Sequence, residues 1–158
     1  GRKLDELRRR ARRAGLTNVQ AIPVEADAFP ELRADRVLVD APCSGIGALR
    51  RNPEARWRLT PEDLARLPTE QRAIARRAQA LVAPGGRLIY ATCTLLGAEN
   101  EDVVASLGAP GWEVMRVAEI WGTERALAVS DVTGTVLKLR PDRHDTDGFF
   151  AAVLRRKL

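Results

Sequence analysis

Asp40-Ala41-Pro42-Cys43-Ser44-Gly45 constrains the fold more than any other stretch of this chain. It follows Arg36-Val37-Leu38-Val39, a short apolar run that reads as a buried strand ending in an acidic residue. Asp40, Pro42 and Cys43 are therefore placed where a strand stops and a loop begins. A second run, Arg87-Leu88-Ile89-Tyr90-Ala91, ends in the same way at Thr92-Cys93-Thr94. The only two cysteines of the chain each close a strand-like segment. In open α/β sheets ligands bind beyond the carboxyl ends of strands, so both thiols stand where chemistry is usually placed. If the two strands are neighbours, both thiols and the Asp40 carboxylate face one crevice.

The segment between the two runs reads as helical. Thr60-Pro61-Glu62-Asp63 has the chemistry of a helix start: a hydroxyl cap, Pro at the first position and acids in the first turn. Pro68-Thr69-Glu70 is expected to restart a second helix, with Ile74, Ala78 and Leu81 on one face. Ala83-Pro84-Gly85-Gly86 then stops it, because Pro cannot continue a helix and Gly permits the turn. Helix, Pro-Gly-Gly turn and strand make the α-to-β connection of a wound sheet.

Upstream, Leu4, Leu7, Ala11 and Ala14 mark one face of a first helix, whose other face carries Arg8, Arg9, Arg10, Arg12 and Arg13. Gly15 is its expected stop, and Val19 to Ala26 reads as a strand broken by Pro23 and ending at Asp27. Downstream, Glu99 to Leu107 reads as a short helix with acids in its first turn and Gly108 after it. Trp112 to Val117, Thr135 to Leu139 and Phe149 to Leu154 read as further strands. The order predicts the α/β class with a partly antiparallel end.

A chain of 158 residues suits one domain with a real core. With 45% hydrophobic and 30% charged residues it is not a disordered composition. No apolar run approaches the roughly 18 residues of a membrane helix, so no membrane partner is expected. The net charge of +5 favours a polyanionic partner, although the predominance of Arg over Lys also follows from coding bias or a thermophilic source. Two cysteines cannot build a disulfide framework, and with a single His they make a poor zinc site. A reducing, cytoplasmic location is the simplest expectation.

The polar, turn-like Arg50-Arg51-Asn52-Pro53-Glu54 precedes Trp57, which lies between Arg56 and Arg58. Arginines beside an aromatic either grip a nucleic-acid backbone while the ring stacks on a base, or flank a small satellite core. A free thiol has a pKa of about 8.5, so only a small fraction is thiolate at neutral pH unless the site assists. Most cysteines in a core are inert. Two at successive strand ends, one of them just after Asp40, favour chemistry; a redox pair stays open, although Cys-x-x-Cys spacing is absent.

Taken in order, the Asp40–Gly45 and Arg50–Glu54 stretches, Trp57, Pro84-Gly85-Gly86, Tyr90–Thr94, Glu99-Asn100-Glu101, Arg143-His144 and Asp147-Gly148-Phe149-Phe150 resemble the Fmu/Sun (NSUN) family of RNA cytosine-C5 methyltransferases. The resemblance runs from about residue 1 to the C-terminus, with Thr92-Cys93-Thr94 where family members usually have Thr-Cys-Ser. It implies a Rossmann-like class I fold that uses S-adenosyl-L-methionine, and RNA (rRNA or tRNA) as substrate. It implies that Cys93 is the nucleophile that adds to C6 of cytosine, and that Cys43 assists breakdown of the adduct. Asp40 would hydrogen-bond the cytosine between base and cofactor; Asp27 would hold the adenine, with Asp40 and Pro42 as further cofactor contacts. Arg50, Arg51 and Trp57 would contact the RNA. For His144 the implied choice lies between proton removal and holding its loop.

The family's Gly-rich cofactor loop and the ribose-binding acid have no counterpart here. Residues 1–158 are therefore expected to be a partial catalytic domain lacking the first two strands, truncated at the N-terminus. An upstream part of the same polypeptide would complete the cofactor site. Two other readings stay open: a non-catalytic RNA-binding or interaction fragment, and another S-adenosyl-L-methionine enzyme on the same fold.

Overall fold

The apolar runs before both cysteines become adjacent parallel strands in the computed structural model, which describes residues 2–23, 31–108 and 110–158. Two units are distinguished, Gly1–Leu32 and Arg33–Leu158.

In the first unit, α1 (Arg2–Arg13) is an Arg-rich helix in which Arg8 pairs with Asp5, and Arg9 and Arg10 pair with Glu6. Gly15 ends it as expected, with φ of 67° and with Leu16 N–H donating to the Ala11 carbonyl at 2.9 Å. The strand expected over Val19–Ala26 does not form over residues 19–23. A strand exists through its ladder of hydrogen bonds, and among the described residues none pairs with this segment. Its remainder, with Asp27, lies outside the described residues.

The second unit begins with β1 (Ala34–Asp40), followed by a 3₁₀ turn at Ile46–Ala48, α2 (Ala55–Arg58), α3 (Pro61–Ala80) and β2 (Val82–Thr92). A 3₁₀ turn at Gly97–Glu99 leads into α4 (Glu101–Leu107), then β3 (Trp112–Val114), α5 (Val117–Trp121) and α6 (Thr123–Val129). The chain closes with β4 (Leu137–Leu139), α7 (Pro141–His144) and β5 (Phe149–Arg156). The sheet runs β1-β2-β5-β3, with β4 also on β5. β1 and β2 are parallel, with Val39 opposite Tyr90 and Asp40 opposite Ala91. β5 is antiparallel to β2, β3 and β4, which is the expected α/β fold with antiparallel C-terminal strands.

α3 starts as the sequence predicts: Thr60 Oγ1 accepts from Asp63 N–H at 3.2 Å, and Asp63 accepts from Thr60 N–H at 3.2 Å. The expected restart at Pro68 does not occur; one helix runs through it. Pro68 removes one backbone bond. That loss is outweighed because Leu67, Pro68, Gln71, Ala75 and Ala78 all bury the same face of α3. The helix also ends before the Pro-Gly-Gly turn, which instead lies within β2 as an irregularity between the Ala34 and Arg36 pairings. Two short helices, α5 and α6, occupy part of the stretch expected to be rich in strands.

Alternation along the strands puts Val39, Leu88, Tyr90, Phe150, Ala152 and Leu154 in one core with Ala75, Ala78, Val103 and Leu107 of the helices. Tyr90 meets Phe150 edge to face, with centroids 6.5 Å apart. On the opposite face Leu38 is 67% exposed, an unusual state for the middle of an apolar strand. An apolar cavity of about 200 Å³ among Ile89, Val117, Ile120, Trp121, Leu137 and Val153 also lies there and contains neither thiol.

Candidate active site

Parallel pairing brings the ends of β1 and β2 side by side, and the ladder continues one step further through Ala41 N–H to the Ala91 carbonyl at 3.0 Å. Cys43 and Cys93, 50 residues apart in the chain, thereby come to an Sγ–Sγ distance of 3.4 Å. Both are free and partly buried. Burial, reinforced by the hydrogen bond to Cys93, pushes the Cys43 thiol up to about 12. At neutral pH Cys43 is therefore a neutral S–H facing the Cys93 sulfur.

A buried polar lattice fixes the residues around each cysteine. Asn100 accepts from the Thr92 hydroxyl at 2.6 Å and donates to the Thr94 carbonyl at 3.0 Å, holding Cys93 from both sides. Glu99 accepts from Ser44 N–H at 2.9 Å, from Gln71 Nε2 at 2.7 Å and from the Thr94 hydroxyl at 3.2 Å. Gln71 also donates to the Pro42 carbonyl at 2.8 Å. Glu99, Asn100, Gln71, Thr92 and Thr94 are all fully buried. The sequence marked Glu99 only as part of the Glu99-Asn100-Glu101 motif, without a role, and gave no sign of Gln71, because a Gln within a long helix ordinarily faces solvent.

Gly47 joins the third loop to this pair. Its N–H donates to the Cys93 carbonyl at 3.0 Å and its carbonyl accepts from Gly148 N–H at 2.8 Å. A Cβ on Gly47 would lie 2.4 Å from the Gly148 oxygen and 2.7 Å from the Cys93 oxygen. Gly47→Ala is expected to destabilise the fold by about 1–3 kcal/mol through forced backbone displacement. The urea midpoint measures this; an unchanged midpoint would mean that the three loops are not held in contact.

Asp40 sits at the same carboxyl end, exposed, and without a side-chain partner among the described residues. It is free to accept a hydrogen bond from a ligand. The Pro42 carbonyl is already engaged by Gln71. Arg50 and Arg51 do not stand free: Arg51 pairs with Asp147 at 2.9 Å and Arg50 with Asp145 at 3.4 Å. Exposed pairs of this kind contribute about 0–1 kcal/mol, so a phosphate can compete for them. Trp57 on α2 is 77% exposed, which removes the satellite-core alternative, and the Arg56 guanidinium lies 4.6 Å from its ring centroid. His144 accepts from Arg140 N–H at 2.9 Å through Nδ1 and donates to the Ala128 carbonyl at 3.0 Å through Nε2. Both ring nitrogens are thus engaged in holding α7.

Residues 1–155 match the family of 16S rRNA methyltransferases RsmB/F. Ribosomal RNA small subunit methyltransferase F of Serratia proteamaculans is 33% identical over 152 residues, covering 91% of this chain and 31% of that protein. The protein of that name from Salmonella paratyphi A is 37% identical over 133 residues, covering 82% and 27%. Among solved structures, PH0851 superposes with a TM-score of 0.83 at 31% identity, over 97% of this chain and 34% of that one. NSun6 from Pyrococcus horikoshii with SFG gives 0.79 at 29% identity, over 97% and 38%. The chain spans 26% to 36% of the length of the curated relatives it matches first.

Proposed function

Because the chain belongs to the RsmB/F family of 16S rRNA methyltransferases, we propose that it methylates C5 of cytosine in RNA through a covalent bond between Cys93 and C6. The observation that carries this is the 3.4 Å contact between two thiols at the ends of adjacent parallel strands. C5 of cytosine is a poor nucleophile. Addition of the Cys93 sulfur to C6 breaks the C5–C6 double bond and turns C5 into an enamine-like carbon. S-adenosyl-L-methionine, the methyl donor implied for this family, supplies an electrophilic methyl group. Cys93 leaves as the C6–S bond breaks and the C5 proton departs.

The two sulfurs divide the work by their surroundings. Cys43 keeps its proton, being pushed up to about 12, and donates S–H toward Cys93. The two sulfurs in contact leave Cys93 as the nucleophile and Cys43 to assist release. Asp40, unpartnered at the strand end, accepts from the cytosine or from the cofactor. Pro42 contributes to the cofactor's side. The family's Gly-rich loop, for which residues 1–158 hold no counterpart, is supplied by other sequence of the same polypeptide.

RNA is gripped at the rim by Trp57, Arg50 and Arg51. Trp57→Ala is expected to leave stability within about 0.5 kcal/mol, since the ring is exposed. It should weaken RNA binding by about 1–3 kcal/mol for the lost stacked base, roughly five- to 150-fold. Fluorescence anisotropy with labelled rRNA fragments reads this, and unchanged affinity would remove Trp57 from the interface. The reaction itself is tested by nucleoside mass spectrometry of rRNA after incubation with the enzyme carrying this chain. 5-Methylcytidine is the expected product, whereas methyl groups found only on a ribose or an exocyclic nitrogen would contradict the reading.

A further inference from the structure

Glu99 is a fully buried carboxylate whose three partners are all neutral: Ser44 N–H, Gln71 Nε2 and the Thr94 hydroxyl. Among the described residues no Arg, Lys or His nitrogen forms an ion pair with it. Burying a carboxylate without a cation costs free energy that hydrogen bonds only partly offset. The Gln71 amide oxygen is also left without a partner, because both its N–H groups turn toward the Pro42 carbonyl and Glu99. A second unfavourable term is thus accepted at the same spot. Hydrophobic residues of similar volume would make a more stable core there.

What the arrangement achieves is geometric. Ser44 is the residue after Cys43, and Thr94 is the residue after Cys93. Pro42, before Cys43, is tied to the same carboxylate through Gln71. Ser44 Oγ and Thr94 Oγ1 also lie 2.8 Å apart, closing the lattice between the loops. One carboxylate therefore accepts from the residue after each cysteine, from the Ser44 backbone N–H and from the Thr94 hydroxyl, beside two sulfurs 3.4 Å apart.

We propose that Glu99 is a positioning residue that sets the distance between the two thiols by acting as acceptor for both cysteine loops at once. Its place in the reaction rests on the assignment of Cys93 and Cys43 as the reacting pair. Glu99→Gln keeps the shape: its amide oxygen still accepts from Ser44 and Gln71, while its nitrogen donates to Thr94 Oγ1, whose hydrogen turns to Ser44. Glu99→Ala removes both tethers.

Phenylarsine oxide is the probe, since its arsenic bonds two neighbouring thiols and releases one water. Glu99→Ala should weaken this bridging at least tenfold and lower kcat about a hundredfold, with KM for RNA within threefold. Glu99→Gln should restore both to within about fivefold of the native enzyme. A folded Glu99→Ala protein that bridges the arsenical as tightly as the native enzyme would overturn the proposal, as would a loss confined to thermal stability. Should Glu99→Ala not fold, the near-isosteric Thr94→Val cuts the Cys93-side tether together with the Ser44–Thr94 contact and leaves the Ser44 N–H bond to Glu99; weaker bridging is expected, and unchanged bridging overturns the proposal. Bridging is read without RNA or methyl transfer, so it separates a failure of this inference from a failure of the proposed reaction.

Discussion

Cys93→Ala is expected to lower methyl transfer by at least about a thousandfold, the scale on which loss of a covalent nucleophile is felt. RNA affinity should stay within a few-fold. The two outcomes separate because they draw on different parts of the molecule. Bond formation to C6 needs the sulfur at the end of β2, for which Ala offers no substitute. In the proposed reading, binding draws on contacts to phosphates and stacking at the exposed Trp57, not on that sulfur. The backbone around residue 93 should persist, since its carbonyl is held by Gly47 N–H and its neighbours Thr92 and Thr94 by Asn100. Transfer of label from the cofactor at near the native rate would remove Cys93 from the chemistry.

Cys43→Ala has a different expected result: methylated RNA stays attached to the protein. If attack belongs to Cys93 and release to Cys43, the mutant completes the first and stalls at the second. Turnover falls, while a slow-migrating protein–RNA band accumulates on a denaturing gel. The contact of 3.4 Å between the sulfurs would put Cys43 beside the proposed C–S bond that has to break. Its thiol, held neutral by burial and by Cys93, is poorly suited to attack and well placed to assist departure. Normal turnover with no band would reduce Cys43 to a core thiol, and loss of attack with no band would exchange the two roles.

The strand ends carrying these thiols were legible because each strand is apolar up to a polar loop, a contrast local to a few residues. The start of α3 was legible for a similar reason, since Thr60, Pro61 and Asp63 supply cap, dihedral and reciprocal bond within one turn. Pro68 misled because a local rule met a buried face extending from Leu67 to Ala78, and packing prevailed. α5 was hidden by its five-residue length, with only Glu119 accepting from Arg116 N–H at 3.0 Å to mark its start. The part of the site that sequence could not reveal is the inward role of Glu99, which stood out only as a member of the Glu99-Asn100-Glu101 motif. Its partners Ser44 and Gln71 lie 55 and 28 residues away, so only the folded chain shows that the acid turns inward. Trp57 is the converse: its neighbours left stacking and core equally open, and only the folded chain shows that the ring is exposed.

The division of labour between the two touching sulfurs is read from the residue to which the trapped RNA is attached. The Cys43→Ala adduct, digested with nuclease and trypsin, can be mapped by mass spectrometry. Trypsin releases residues 37–50, carrying position 43, separately from residues 88–116, which carry Cys93. A methylated cytidine on Cys93 in the second peptide is the expected result. A nucleotide on any other residue, or an unmethylated one persisting in the presence of S-adenosyl-L-methionine, would contradict it.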